Sequence, residues 1–173
     1  MIKLEDHIRE VPDFPRKGIS FKDIMPLLHS PEAFRSAIDR LAASVPRPDA
    51  VVGIESRGFL FGAPLALHWR VPFVPARKCG KLPGRTVRQV YSLEYGEDTL
   101  ELHADALDPG QRTVIVDDLL ATGGTALATT QLVRQLKAEV TAALFVIELT
   151  GLGGRDKLAP LPVHAVLSMP VRS

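Results

Sequence analysis

Short apolar runs alternate with helical patterns along most of the chain, and this alternation constrains its fold most strongly. The runs AVVGI at 50–54, RTVIV at 112–116 and VTAALFVIEL at 140–149 are mostly apolar, which is typical of parallel strands buried on both faces. Apolar residues at helical spacing mark 58–69 and 124–138 between these runs. We therefore predict an α/β fold, with a mostly parallel twisted sheet flanked by helices.

Two further patterns extend this prediction. Ser30 and Pro31 suit the N-cap and first turn of another helix, since apolar residues follow them at helical spacing. The stretch RQVYSLEYGEDTLELH at 88–103 predicts two strands around a turn at Gly96. This hairpin breaks the alternation, and we expect it to project from the sheet as a flap.

Composition narrows the class of protein. The chain has 173 residues, the length of one domain, and its net charge of +1 does not favour a nucleic acid as partner. The single cysteine, Cys79, excludes an intrachain disulfide and favours a reducing compartment such as the cytoplasm. No apolar run approaches the ~20 residues of a membrane span, and the five histidines show no metal-ligand spacing.

The stretch VIVDDLLATGGTALA at 114–128 carries the clearest chemical signal. Ligands of open parallel sheets bind beyond the carboxyl ends of strands, where Asp117 and Asp118 are expected. A loop rich in backbone N–H and hydroxyl donors then enters a helix: Ala121, Thr122, Gly123, Gly124 and Thr125. Such a helix N-terminus favours an anion, whereas carboxylates suit sugar hydroxyls or a bridging Mg²⁺. The stretch predicts a site for a sugar phosphate; the alternative is an ordinary strand-end turn with a cap.

These residues resemble a known family. VIVDDLLATGGT at 114–125 resembles the phosphoribosyl-diphosphate (PRPP) signature of type I phosphoribosyltransferases, and the likeness to the adenine-using members continues through GIESRGFLFGAPLA at 53–66, RKCGKLPG at 77–84 and YSLEYG at 91–96. The resemblance implies one phosphoribosyltransferase domain over 1–173. Within it, residues 1–30 would form a small N-terminal hood with the base pocket, and the hairpin at 85–103 a flexible flap.

The resemblance also implies a reaction. PRPP and adenine would give AMP and pyrophosphate, with Mg²⁺ bound mainly through PRPP, in a cytoplasmic homodimer whose segment 77–84 lies near the neighbouring subunit. It implies further that Ala121–Thr125 hold the 5′-phosphate and that Asp117 and Asp118 hold the ribose hydroxyls. The loop Glu55, Ser56 and Arg57 would face pyrophosphate, often through a cis peptide in this family.

The remaining site residues follow from the same resemblance. Ser20, Phe21 and Lys22 would line the base pocket with Arg57. Glu94, in the flap, would be the general acid or base, and Arg57 would assist it. The segment RKCGKLPGRTVR at 77–88 is basic throughout, so it is either a solvated loop or a pyrophosphate clamp built on three cations: Arg77, Lys78 and Lys81.

Two other functions remain open at this point. Many family members carry arginine at the position of Lys22 and an aliphatic residue at that of Ser20, which leaves room for another 6-substituted purine as the substrate. A regulator that keeps the PRPP site but binds nucleic acid instead of catalysing a reaction is the other alternative. Such a regulator would need a basic surface beyond 77–88, which the net charge of +1 does not favour.

Overall fold

The computed structural model describes residues 2–93 and 96–171. Near the N-terminus two short strands pair, β1 (Arg9–Val11) and β2 (Phe21–Asp23). The main sheet has seven strands: β3 (Ala50–Ile54), β4 (Phe73–Lys78), β5 (Thr86–Leu93), β6 (Gly96–His103), β7 (Arg112–Leu120), β8 (Glu139–Thr150) and β9 (Val163–Pro170). The helices are a 3₁₀ turn at Leu4–His7, α1 (Met25–His29), α2 (Pro31–Ala43), α3 (Gly58–Trp69), α4 (Gly124–Gln135) and α5 (Gly154–Leu158).

The main sheet has the strand order β5-β6-β4-β3-β7-β8-β9. The five strands β4, β3, β7, β8 and β9 run parallel, and β6 and β5 join one edge in antiparallel pairing. Successive side chains of β7 enter different cores: Ile115 packs on the side of α4, and Val114 and Val116 pack on the side of α2 and α3. The predicted parallel sheet with helices on both faces is therefore confirmed.

Local signals explain two helix boundaries. The Ser30 side chain accepts a hydrogen bond from the Ala33 N–H at 3.3 Å, so Ser30 caps α2 as expected. Helix α4 ends at Gln135 instead of reaching 138, because Lys137 adopts a left-handed backbone with φ of 62°. Among the described residues, no helix is long and apolar enough to cross a membrane.

One strand boundary differs from the prediction in a way that affects the site. The sequence pattern ended the strand at Val116, but β7 continues to Leu120 because its parallel pairing with β8 persists as far as Glu148. Asp117 and Asp118 therefore lie inside β7, near its carboxyl end, and the loop begins only at Ala121.

The predicted hairpin consists of β5 and β6. Its base joins the main sheet, where β6 pairs with Arg77 and Lys78 of β4, and the rest extends beyond that edge. The Gln135 side chain of α4 donates a hydrogen bond to the Arg88 carbonyl at 3.1 Å. The hairpin thus lies along α4 towards the start of that helix.

Candidate functional site

The loop between β7 and α4 forms a small cradle. A cavity of about 100 Å³ is lined by Asp117, by Phe145 and by residues 119–126, which span the end of β7, the loop and the first turn of α4. Among the described residues no side chain caps α4, whose N-cap is Gly123 with φ of 79°. The first N–H groups of a helix lack intrahelical acceptors, so this uncapped end offers donors and a favourable dipole to an anion. The structure brings together all five loop residues that the sequence predicted as phosphate ligands.

A second glycine loop supports the cradle from outside. A Cβ on Gly154, at the start of α5, would lie 2.2 Å from the carbonyl oxygen of Ala121, and a Cβ on Gly123 would lie 2.8 Å from the carbonyl oxygen of Gly154. Backbone therefore packs directly on backbone at this contact. Sequence reasoning gave no role to Gly154, because only the fold brings residue 154 against residue 121.

The two aspartates of β7 lie beside the cradle. The Asp118 N–H donates to Asp117 Oδ1 at 2.8 Å, and Asp118 Oδ2 lies 3.1 Å from Arg57 Nε. That oxygen is buried, yet no described residue donates a hydrogen bond to it. Burial raises the pKa of both carboxyl groups; the charge of Asp118 raises that of Asp117 further, whereas Arg57 opposes the rise at Asp118.

Arg57 connects these aspartates to the N-terminal hood. Its guanidinium carbon lies 5.3 Å from the centre of the Phe21 ring, within the range of a cation–π contact. Phe14 packs edge-to-face on Phe21, with ring centres 5.2 Å apart. The predicted base-pocket residue Phe21 and the predicted pyrophosphate loop are therefore neighbours.

The Lys22 side chain forms a buried ion pair with Glu10 in the hood. Its Nζ is 2.7 Å from Glu10 Oε1 and 3.3 Å from Ser20 Oγ, and its side chain is only 2% exposed. Glu10 and Lys22 are direct partners in the pairing of β1 with β2. Ser20 directly precedes β2, whereas Phe21 and Lys22 lie in it, with the lysine charge facing Glu10.

The loop after β3 meets the basic segment. The Glu55–Ser56 peptide bond is cis, as the resemblance implied. Glu55 accepts hydrogen bonds from the Lys78 N–H at 2.7 Å, from Lys81 Nζ at 2.5 Å and from Arg77 Nε at 3.2 Å. Burial opposes ionisation of Glu55, but these three donors outweigh it and lower the pKa to about 2.

Two acids that the sequence did not single out complete this cluster. Glu101 of β6 is buried and accepts from the Gly80 N–H at 3.0 Å, and it pairs with Arg88 Nε at 2.6 Å. Asp98 pairs with Lys78 Nζ at 3.1 Å. The basic segment contains no acid of its own, so its counter-charges come from Glu55 and from these two acids of β6. Only the strand register, which the sequence does not reveal, could have identified them.

The hairpin covers the cradle. A Cβ on Gly124 would lie 3.6 Å from the Ser92 carbonyl oxygen and 4.0 Å from the Tyr91 ring, and the Tyr91 hydroxyl interacts with Thr125 and with Asp98. Burial raises the pKa of Tyr91. Glu94, the predicted acid–base residue, lies outside the described residues.

Comparisons with known proteins agree with this geometry. The family model of the phosphoribosyl transferase domain matches residues 27–159. The adenine phosphoribosyltransferase of a Synechococcus strain is 58% identical over 168 residues, which cover 95% of this chain and 96% of the relative. The chain belongs to the adenine phosphoribosyltransferases. Within this family, the solved structure from Thermoanaerobacter pseudethanolicus is 50% identical in sequence to this chain and has a TM-score of 0.93. The match covers 96% of this chain and 100% of that one.

A second solved member was crystallised with ligands. The adenine phosphoribosyltransferase of Saccharomyces cerevisiae, in complex with adenine and an imino-altritol bisphosphate, is 44% identical to this chain. Its TM-score is 0.90, and the match covers 95% of this chain and 96% of that one. The α/β fold with a mostly parallel sheet is therefore shared along nearly the whole chain.

Proposed function

We propose that this chain transfers the 5-phosphoribosyl group of PRPP to adenine, which yields AMP and pyrophosphate in purine salvage. The observation that carries the assignment is the pair of complementary sites at the end of β7. An uncapped helix start offers N–H donors to a phosphate, and beside it the buried Asp118 Oδ2 lacks a donor among the described residues. In a ribose 5′-phosphate, the phosphate would accept from the helix N–H groups and a ribose hydroxyl would donate to Asp118 Oδ2.

The reaction breaks the bond between ribose C1 and pyrophosphate and forms a bond from C1 to a ring nitrogen of the base. Positive charge grows on the sugar while negative charge grows on the leaving group, so cations at the leaving oxygens lower the barrier. We assign five residues as ligands of the pyrophosphate group: Ser56, Arg57, Arg77, Lys78 and Lys81. The ring nitrogen must also lose a proton, and we assign its removal to Glu94 by resemblance.

The base pocket is assigned to the hood. Phe21 offers a ring face to a purine, and stacking on an aromatic side chain is worth about 1–3 kcal/mol per base. The backbone of Ser20 and Phe21 would read the edge of adenine. Lys22 belongs to the pocket as a support, because its charge is held by Glu10 on the partner strand.

Magnesium would enter with the substrate. Among the described residues there is no group of three or more His, Cys, Asp or Glu side chains that could hold a metal ion. Mg²⁺ is commonly held by one or two carboxylates plus substrate phosphates, and Asp117 and Asp118 fit that part. The ion would supply positive charge to the pyrophosphate oxygens of PRPP.

We also infer a homodimer in the cytoplasm. Helix α3 exposes Leu60 and Leu67 on one side, with Leu67 79% exposed. Leu67, Pro64 and Phe34 border an open surface depression of about 570 Å³. Exposed apolar patches of this kind favour an interface, and a second copy of this chain is the proposed occupant. Sedimentation equilibrium of the purified chain tests the state of assembly.

Product formation with PRPP and Mg²⁺ tests the function directly, with adenine, hypoxanthine, guanine and xanthine offered in parallel. We expect AMP from adenine and no turnover of the 6-oxopurines. Turnover of a different base would retain the PRPP site but overturn the assignment of the hood residues Ser20 to Lys22. Binding of PRPP without turnover of any base would favour the regulator.

A further inference from the structure

Glu55 has contacts that do not fit a direct ligand of pyrophosphate. A carboxylate would repel that anion, and the Glu55 side chain is only 7% exposed. The residues that it binds are far more accessible, since the side chains of Arg77 and Lys81 are 32% and 49% exposed. The acid therefore lies behind the cations, on their protein side.

The atoms used in these contacts define what the cations can still bind. Glu55 Oε2 accepts from Arg77 through Nε, and Oε1 accepts from one of the three Lys81 ammonium protons. An arginine has two terminal nitrogens beyond Nε, and the Glu55 contact leaves both of them to another acceptor. The same contact fixes the plane of the guanidinium and so the direction of its terminal edge.

The Glu55 carboxylate also fixes the backbone from which these cations extend. It accepts the Lys78 N–H at 2.7 Å, next to Arg77 and three residues before Lys81. One buried carboxylate thus connects the end of β3, the end of β4 and the loop after it. Its low pKa, about 2, keeps it charged at neutral pH.

We propose that Glu55 is a positioning residue for the leaving-group subsite: it holds Arg77 and Lys81 from behind so that their remaining N–H groups meet the pyrophosphate of PRPP. This inference deepens the proposed function and rests on it for the identity of the anion. It assigns Glu55 a role through Arg77 and Lys81, not through contact with the substrate.

The test measures binding of the two products separately by isothermal titration calorimetry in Mg²⁺ buffer. In Glu55→Gln an amide NH₂ replaces one acceptor oxygen and opposes a donor, Arg77 Nε or Lys81 Nζ, so the cations lose their support. Because a hydrogen bond to a charged group is worth more than one decade in affinity, we expect pyrophosphate to bind about tenfold more weakly. AMP, which uses the cradle and the base pocket, should bind as in the wild type.

Two further variants separate positioning from folding. Glu55→Asp keeps the charge and should restore most of the pyrophosphate affinity. Asp49 lies just before β3, at the opposite end of the same strand, and also accepts one backbone N–H and two arginine nitrogens, all from Arg112. Asp49→Asn is therefore a matched control, for which we expect unchanged affinity for both products.

Three results would overturn the inference. They are wild-type or tighter pyrophosphate binding in Glu55→Gln, an equal loss of AMP and pyrophosphate binding, and an equal loss of pyrophosphate binding in Asp49→Asn. The binding data are independent of turnover. If the wild type fails to make AMP but Glu55→Gln still weakens pyrophosphate alone, the proposed function fails and the positioning role stands.

Discussion

The contact between Gly154 and Ala121 allows a sharp test of how the cradle, our proposed phosphate site, keeps its shape. In Gly154→Ala the new Cβ would lie 2.2 Å from the Ala121 carbonyl oxygen and 2.9 Å from Leu120 Cδ1. Ordinary contacts between carbon and oxygen are about 3.3 Å or longer. Because the first neighbour is backbone, α5 and the cradle must separate by roughly 1 Å.

That displacement sets both expected magnitudes. Overpacking of this kind costs about 1–3 kcal/mol, and at this chain length each kcal/mol lowers Tm by roughly 2–4 °C. A 1 Å misplacement of a binding group can cost about 100-fold in rate. We therefore expect Gly154→Ala to lower Tm by about 2–12 °C and kcat/KM for PRPP by about 100-fold, measured by thermal unfolding and steady-state kinetics.

The neighbouring Gly153 supplies the control. It has φ of 73° and open space around its missing Cβ, so Gly153→Ala adds left-handed backbone strain, about 1–2 kcal/mol, without a clash against Ala121. Its stability should fall by a similar amount, while PRPP kinetics stay at the wild-type level. Equal kinetic defects in both variants, or none in Gly154→Ala, would refute the contact as the support of the cradle.

Three other variants test separate parts of the site. Asp118→Asn should weaken PRPP binding by about tenfold or more, because an amide replaces a carboxylate acceptor; unchanged affinity by calorimetry would remove the ribose assignment. Glu94→Ala should lower kcat by about 10²–10⁴-fold with a small change in substrate affinity, and a wild-type single-turnover rate would exclude it as the acid–base group. Glu55 has a pKa of about 2, below its usual value, so its ionised form adds stability above the usual pKa that is lost as pH falls towards 2. The Tm difference between wild type and Glu55→Gln should accordingly shrink over that acidic range, and a difference independent of pH would contradict this.

The amino-acid sequence predicts the central part of this structure because it is locally encoded. The strand Ala50–Ile54 and the helix Gly58–Trp69 have the predicted bounds, since apolar runs and helical spacing depend only on neighbours along the chain. Residues 121–125 directly follow β7 and lead into α4, where the sequence pattern predicted them.

What the sequence could not predict depends on register and on contact between distant segments. Glu101 lies in an alternating strand like any solvent-facing acid, and only its pairing opposite Arg77 and Arg88 places it in the basic cluster. Lys22 carries no local sign that Glu10 will face it. Strand β7 passes Val116 because β8 is long enough to pair with it, which no pattern within residues 112–120 reveals.

The three arginines around the site share one arrangement, which explains how a near-neutral chain can bind an anionic leaving group. Asp118 lies against Arg57 Nε, Glu55 against Arg77 Nε and Glu101 against Arg88 Nε. In each pair the acid side chain is at most 7% exposed and the arginine at least 32%. Burial of a charge is costly unless it is paired, so each arginine favours the ionised form of its acid. Arg77 is in turn fixed by the hydrogen bond that its Nε donates to Glu55, and its terminal nitrogens then need little reorganisation when charge develops on a ligand, which is a condition for effective electrostatic catalysis.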